Sequence, residues 1–108
     1  MQVFYQLVYE YQKGLRDLCL LTCLNDSEEK IKSSLEKQDI RYLIYPIKNN
    51  KINVFFGLLE CLEIIKIFSC SELNKISTEE DFILGMMLGY GKFQQYKRFL
   101  ARKALSAV

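Results

Sequence analysis

Apolar residues recur along this chain in two rhythms, one of about 3.6 residues and one of two, and the switches between them mark out its elements. The first stretch fits both. Phe4, Leu7, Val8 and Tyr11 match helical spacing, while Val3, Tyr5, Leu7, Tyr9 and Tyr11 match strand alternation. Its β-branched and aromatic content favours a strand, but Gly14 after Lys13 suits a helix C-terminus. Residues 16–24 read as a strand, with Leu18, Leu20 and Thr22 on one face and Cys19, Leu21 and Cys23 on the other. Apolar residues on both faces predict a central strand. Asn25 or Asp26 then offers an N-cap, with Glu28 or Glu29 closing a capping box. The helix this opens runs to about Gln38 and buries Ile31 and Leu35.

A hairpin follows. Residues 40–47 and 51–56 are rich in Ile, Tyr, Val and Phe, and Asn49-Asn50 between them tolerates the positive φ of a tight turn. Pro46 cannot donate to a ladder and belongs at a strand end or on an edge. Gly57 ends the second strand. Residues 58–69 form a helix with Leu58, Cys61, Leu62, Ile65 and Phe68 inward. Ser77-Thr78-Glu79-Glu80 is a second capping box, opening a helix that runs to about Leu88. Gly89-Tyr90-Gly91 breaks it, and residues 92–105 form a last helix with the stripe Phe93, Tyr96, Leu100 and Ala104. The order is (α)βαββααα. It predicts an α+β fold, a three-stranded and mainly antiparallel sheet with helices packed on one face.

Composition narrows the class. A chain of 108 residues suits a single domain, and with 50% hydrophobic and 26% charged residues it is ordinary for a globular protein. Its apolar runs, such as 18–24 and 83–88, fall short of the ~18 residues that membrane spanning needs. The N-terminus lacks the basic start of a signal peptide, so a cytoplasmic location is expected. Cys19 and Cys23 stand about 13 Å apart along a strand, too far for a disulfide or a shared metal, and Cys61 and Cys70 are isolated. Free thiols used as small hydrophobes are the expected state.

The chain has no histidine, which removes the commonest general base, the usual Ser and Cys triads and most zinc sites. No phosphate loop follows Gly85 or Gly89, and no cofactor or metal pattern is present. The cluster Glu79-Glu80-Asp81 reads as helix N-terminus chemistry. No catalytic residue stands out, although an enzyme or small-ligand binder working through Tyr, Lys or Cys would leave no motif.

Two surfaces remain. The run Phe82, Ile83, Leu84, Gly85, Met86, Met87, Leu88, Gly89, Tyr90 shows almost no polar side, so the helix is buried against its own core or against another chain. Gly85 and Gly89, four apart, leave a groove for a close-packing backbone, and Phe82, Ile83, Gly85, Met86, Met87, Gly89 and Tyr90 form a candidate homodimer interface. Charge singles out the second surface. Net charge is +2 overall, but residues 1–90 sum to −3 and residues 91–108 to +5. The cations Lys92, Lys97, Arg98, Arg102 and Lys103 interleave with Phe93, Tyr96 and Phe99. An acidic protein partner or nucleic acid fits such a patch; so does plain helix chemistry, with cations complementing the dipole and aromatics buried.

The segments Tyr9-Glu10-Tyr11-Gln12-Lys13-Gly14-Leu15-Arg16, Ile52-Asn53-Val54-Phe55-Phe56-Gly57 and 79–90 are together similar to a bacterial family of uncharacterised proteins, the domain-of-unknown-function family numbered two thousand and twenty-three. The likeness runs over nearly the whole chain. It implies three strands, several helices and a homodimer, and therefore a helix over 3–13; it implies no activity. The element order also resembles a bacterial group associated with flavodoxin and iron genes, which implies an accessory role in redox or iron metabolism. The function expected is a cytoplasmic, non-enzymatic, self-associating interaction module.

Overall fold

The three apolar stretches read as strands pair into one antiparallel sheet of order β1-β3-β2 in the computed structural model, which describes residues 1–106. The strands are β1 (Leu18–Leu24), β2 (Tyr42–Ile47) and β3 (Lys51–Gly57). The β2–β3 turn works as its sequence predicts, with Asn49 and Asn50 both in the left-handed region at φ 62° and 56°. Pro46 lies exposed on β2, an outer strand, where its missing N–H breaks no shared ladder. The ambiguous first stretch is a helix, α1 (Gln2–Gln12), burying Phe4 and Val8. It is followed by α2 (Glu28–Lys37), α3 (Leu59–Lys66), α4 (Thr78–Met87) and α5 (Lys92–Ser106). The α+β class and the element order are those the sequence predicts.

The layering differs from expectation. Side chains alternate along a strand, so β3 sends Ile52, Val54 and Phe56 to one face and Phe55 to the other, and all four are buried. The first face is covered by Phe4 and Val8 of α1 and Ile31 and Leu35 of α2. Cys61, Leu62 and Ile65 of α3, with Leu84 of α4, cover the second. Helices therefore pack on both faces, not on one. The same fact corrects the placement of β1, which is an edge strand although both its faces are apolar. Double apolarity here reports two helix layers, not a strand on each side; β3 holds the centre.

Chain ends of the helices are set locally. α1 closes with Gly14 at φ 78°, where the Gly14 N–H donates to the Tyr11 carbonyl and the Leu15 N–H to the Glu10 carbonyl. The capping box expected at Asn25 or Asp26 does not form. Those residues make a short 3₁₀ turn, Asn25–Ser27, and Ser27 caps α2 without a side-chain bond. α3 is also shorter than the 58–69 its apolar spacing predicts. Leu58 is its extended N-cap and Ile67 its C-cap. At the end of β3, Gly57 holds φ 146°, and a Cβ there would collide with the Asp17 carbonyl oxygen.

Consecutive residues on opposite faces give a direct test of the two-layer arrangement. Phe55→Ala and Phe56→Ala should each lower stability by about 3–5 kcal/mol in urea unfolding. A near-neutral result for either would mean that its face carries no packed helix layer.

Candidate functional site

The acidic-aromatic stretch and the basic tail, which the sequence sets apart as two surfaces, form one helical hairpin. Its first arm begins with a capping box: the Ser77 hydroxyl accepts from the Glu80 N–H at 3.1 Å, and Glu80 Oε1 accepts from the Ser77 N–H at 2.9 Å. Glu80 also accepts from the Ser69 N–H and hydroxyl. These donors, Ser77 first, hold its carboxyl below the usual range. The arm ends with Gly89 at φ 79°, where the Gly89 N–H donates to the Met86 carbonyl and the Tyr90 N–H to the Gly85 carbonyl. Gly89 is thus a helix terminator and not part of a groove.

Gly85 has a different task. It is buried, and a Cβ there would run into the Gln95 side chain of α5. The missing side chain lets the Gln95 carboxamide, only 8% exposed, lie against the α4 backbone. The close neighbour that an internal helix glycine calls for therefore comes from the same chain. Phe82 extends the contact, its ring centroid 5.2 Å from that of Phe99 and 6.2 Å from that of Tyr96.

Charge closes the hairpin. Arg98 donates twice to Asp81, at 2.7 and 3.2 Å, and Arg102 Nη1 lies 3.2 Å from the same carboxylate. Lys103 pairs with Glu79. The Arg98 guanidinium, before any other cause, holds the Asp81 carboxyl below its ordinary value. Of the five cations of the basic tail, three therefore face acids of α4. Lys97 sits over the Phe93 ring, 5.5 Å from its centroid, and Lys92 has no acidic partner among the described residues.

α4 is not buried all round. Leu84, Gly85 and Leu88 point inward, Phe82, Met86 and Met87 are half-buried, and Ile83 and Tyr90 are exposed. The reverse holds for α5. Gln95, Phe99 and Arg102 are its covered residues, while the apolar stripe the sequence predicts as its inner face stands in solvent: Phe93 is 67% exposed, Tyr96 47% and Leu100 70%. At 100° per residue, the stripe is centred roughly opposite the Gln95–Arg102 face. The sequence has the face right and its covering wrong.

Two segments far apart in sequence meet at the base of the hairpin. Arg16 donates through Nε to Glu10 at 2.6 Å and through Nη1 to the Leu88 carbonyl at 3.2 Å. It ties the end of α1 to the C-terminus of α4, where the helix dipole favours a cation. All four cysteines are free thiols, and Cys19 is pushed up to about 11 by burial, an inert state. Among the described residues no group of three His, Cys, Asp or Glu is placed to hold a metal ion, and no helix is long and apolar enough to cross a membrane.

The structure defines a class: an α+β protein with a three-stranded sheet between helix layers and a last helix, α5, docked on α4 through polar and aromatic contacts. The profile of the family described as protein of unknown function, DUF2023, matches residues 2–102, and the chain belongs to that family. No curated protein matches it.

The Asp81 contact is testable by pH and by substitution. Because its folded carboxyl is held below the unfolded value, its contribution is fully present above about pH 4 and is lost as pH falls through the lowered value. Asp81→Asn should weaken docking of α5 by on the order of 1 kcal/mol, discounted because Arg98 is half-exposed. Hydrogen exchange should rise several-fold over 92–105 and stay unchanged in β3. Unaltered α5 exchange would show that the contacts other than Asp81, namely Gln95 over Gly85, Phe82 with Phe99 and Lys103 with Glu79, suffice to hold the arm.

Proposed function

We propose that this chain is a self-associating interaction module whose α5 face packs against a second copy, giving a homodimer that acts in the cytoplasm. The carrying observation is the stripe Phe93, Tyr96 and Leu100, left largely exposed on a helix whose other side is already docked, with Tyr96 at its edge against Phe82. Monomeric proteins rarely present such a contiguous apolar strip, and a helix of this length has its own packing requirement.

Area supports a partner of matching size. The chain exposes 7181 Å², against about 6,200 Å² for a folded monomer of its mass. The excess, roughly 1,000 Å², is of the same order as the roughly 800 Å² that each partner contributes to a standard interface. The radius of gyration, 14.6 Å, also exceeds the roughly 13 Å of a compact chain of this length. A second copy supplies the same strip, so an isologous α5–α5 contact covers both at once. The interface considered from sequence shifts accordingly. Gly85 and Gly89 serve the chain itself, whereas Ile83 and Tyr90 stay exposed.

A nucleic-acid reading has weaker support, because Asp81 and Glu79 already engage Arg98, Arg102 and Lys103. The same pairing reduces the attraction for an acidic partner.

Light scattering behind size exclusion should give about twice the 12.7 kDa chain mass at micromolar concentration. Phe93→Glu with Leu100→Glu, both on exposed positions, should return the mass to one chain without loss of helix content. A monomeric wild type, or a variant that still dimerises, would overturn the proposal.

A further inference from the structure

The second face of the sheet changes character along its length. Near α3 and α4 it carries Leu18, Leu20 and Phe55. Toward the β2–β3 turn the same face continues as Thr22, Asn53 and Lys51, with Thr22 directly opposite Asn53 in the ladder. A cleft of about 590 Å³ opens there, walled on the far side by Glu72 and Asn74 around the 3₁₀ turn Leu73–Lys75.

Asn53 is the anomaly at its floor. It sits in the middle of the central strand, 5% exposed, where each neighbouring position of β3 from Ile52 to Phe56 is apolar. The Thr22 hydroxyl donates to its Oδ1 at 2.6 Å, which fixes the amide plane. Its NH₂ group has no hydrogen-bond partner among the described residues. Nor is any fully enclosed side-chain nitrogen or oxygen among them left unpaired, so this NH₂ opens onto the cleft. Water in the cleft can reach this donor, so it is not an orphaned group, yet valine or isoleucine would be the ordinary occupant of such a strand position. The arrangement is explained if an acceptor from outside completes it.

Charge says what kind of acceptor. Lys48 and Lys51 line the cleft, and neither pairs with a carboxylate among the described residues, unlike Arg98 and Lys103. The acid in the wall, Glu72, is 3.3 Å from Lys75 and partly neutralised by it. Two free ammonium groups and a fixed amide donor around one concavity match an oxyanion. We propose that this cleft binds a small organic anion, with its carboxylate or phosphate received by Lys48, Lys51 and the Asn53 NH₂. The site is separate from the α5 strip and does not depend on dimerisation.

The test is an NMR titration of the full chain with inorganic phosphate and, separately, acetate, at ionic strength held constant with sodium chloride. Saturable shifts of the Asn53 side-chain NH₂ and of the amides of 48–51 are expected with at least one probe. The probe giving the larger shifts assigns the headgroup. Lys48→Gln with Lys51→Gln, on exposed positions, should weaken binding about tenfold or more. Asn53→Val should abolish it while leaving the melting temperature equal to or above that of wild type. Shifts that chloride reproduces, or that the double variant retains undiminished, would overturn the proposal, as would no saturable shift with either anion.

Discussion

The whole molecule is organised by the burial of β3 on both faces. A strand in that position must be apolar on alternate and on consecutive residues, and 52–56 nearly achieves it, with Ile52, Val54 and Phe56 on one side and Phe55 on the other. Two cores follow from one strand, each needing its own helices. That demand places α1 and α2 on one side and α3 and α4 on the other. It also explains Gly57, since β3 leaves the sheet so close to Asp17 that no side chain fits between them. With three strands the sheet keeps two edges, and the exposed Pro46 on β2 blunts one of them against further pairing.

α5 belongs to neither core. It is attached by a carboxamide over a glycine, an aromatic contact and the carboxylate of Asp81 shared between two arginines. A helix docked on one side by polar and aromatic contacts leaves its Phe93–Leu100 side uncovered by the rest of the described chain. Arg16 anchors the base of the same hairpin to α1 and β1 through Glu10 and the Leu88 carbonyl. The two segments that carry the family likeness at its ends are therefore one structural unit, a brace between the first helix and the hairpin.

Local chemistry was legible in the sequence where it is local in space. The Ser77–Glu80 capping box, the Asn49-Asn50 turn, the Gly14 terminator and the faces of β1 all span a few residues, so spacing alone determines them. What spacing cannot carry is the identity of the covering partner. The stripe on α5 looked like a buried face because a 3.6-residue period reports that a helix has an apolar side, not which chain covers it. The double apolarity of β1 was ambiguous for the same reason, since helices and strands both ask for it. Residues 3–13 fitted both periods, and only the family likeness selected the helix. The glycines of α4 looked equivalent, four apart on one helix, yet Gly85 answers to Gln95 and Gly89 to backbone torsion. Fold was recoverable from pattern; the candidate sites were not, because they are defined by pairings between distant residues.

Net charge is a poor guide to where this protein is positive. The tail holds five cations and no acid, but Asp81 and Glu79 reach three of them across the hairpin. Lys48 and Lys51 attract no notice in a linear count, yet among the described residues they stand without acidic partners, beside a buried amide. A field that matters for binding is set by unpaired charge next to low-dielectric walls, and folding redistributes which charges are unpaired. The same reasoning applies to polarity. Asn53 is the one interior residue of β3 that breaks the strand's apolar rule, and Thr22 across the ladder holds its amide in a fixed direction. Selection for stability alone would replace such a residue, so its presence in the best-buried strand points to a requirement outside packing.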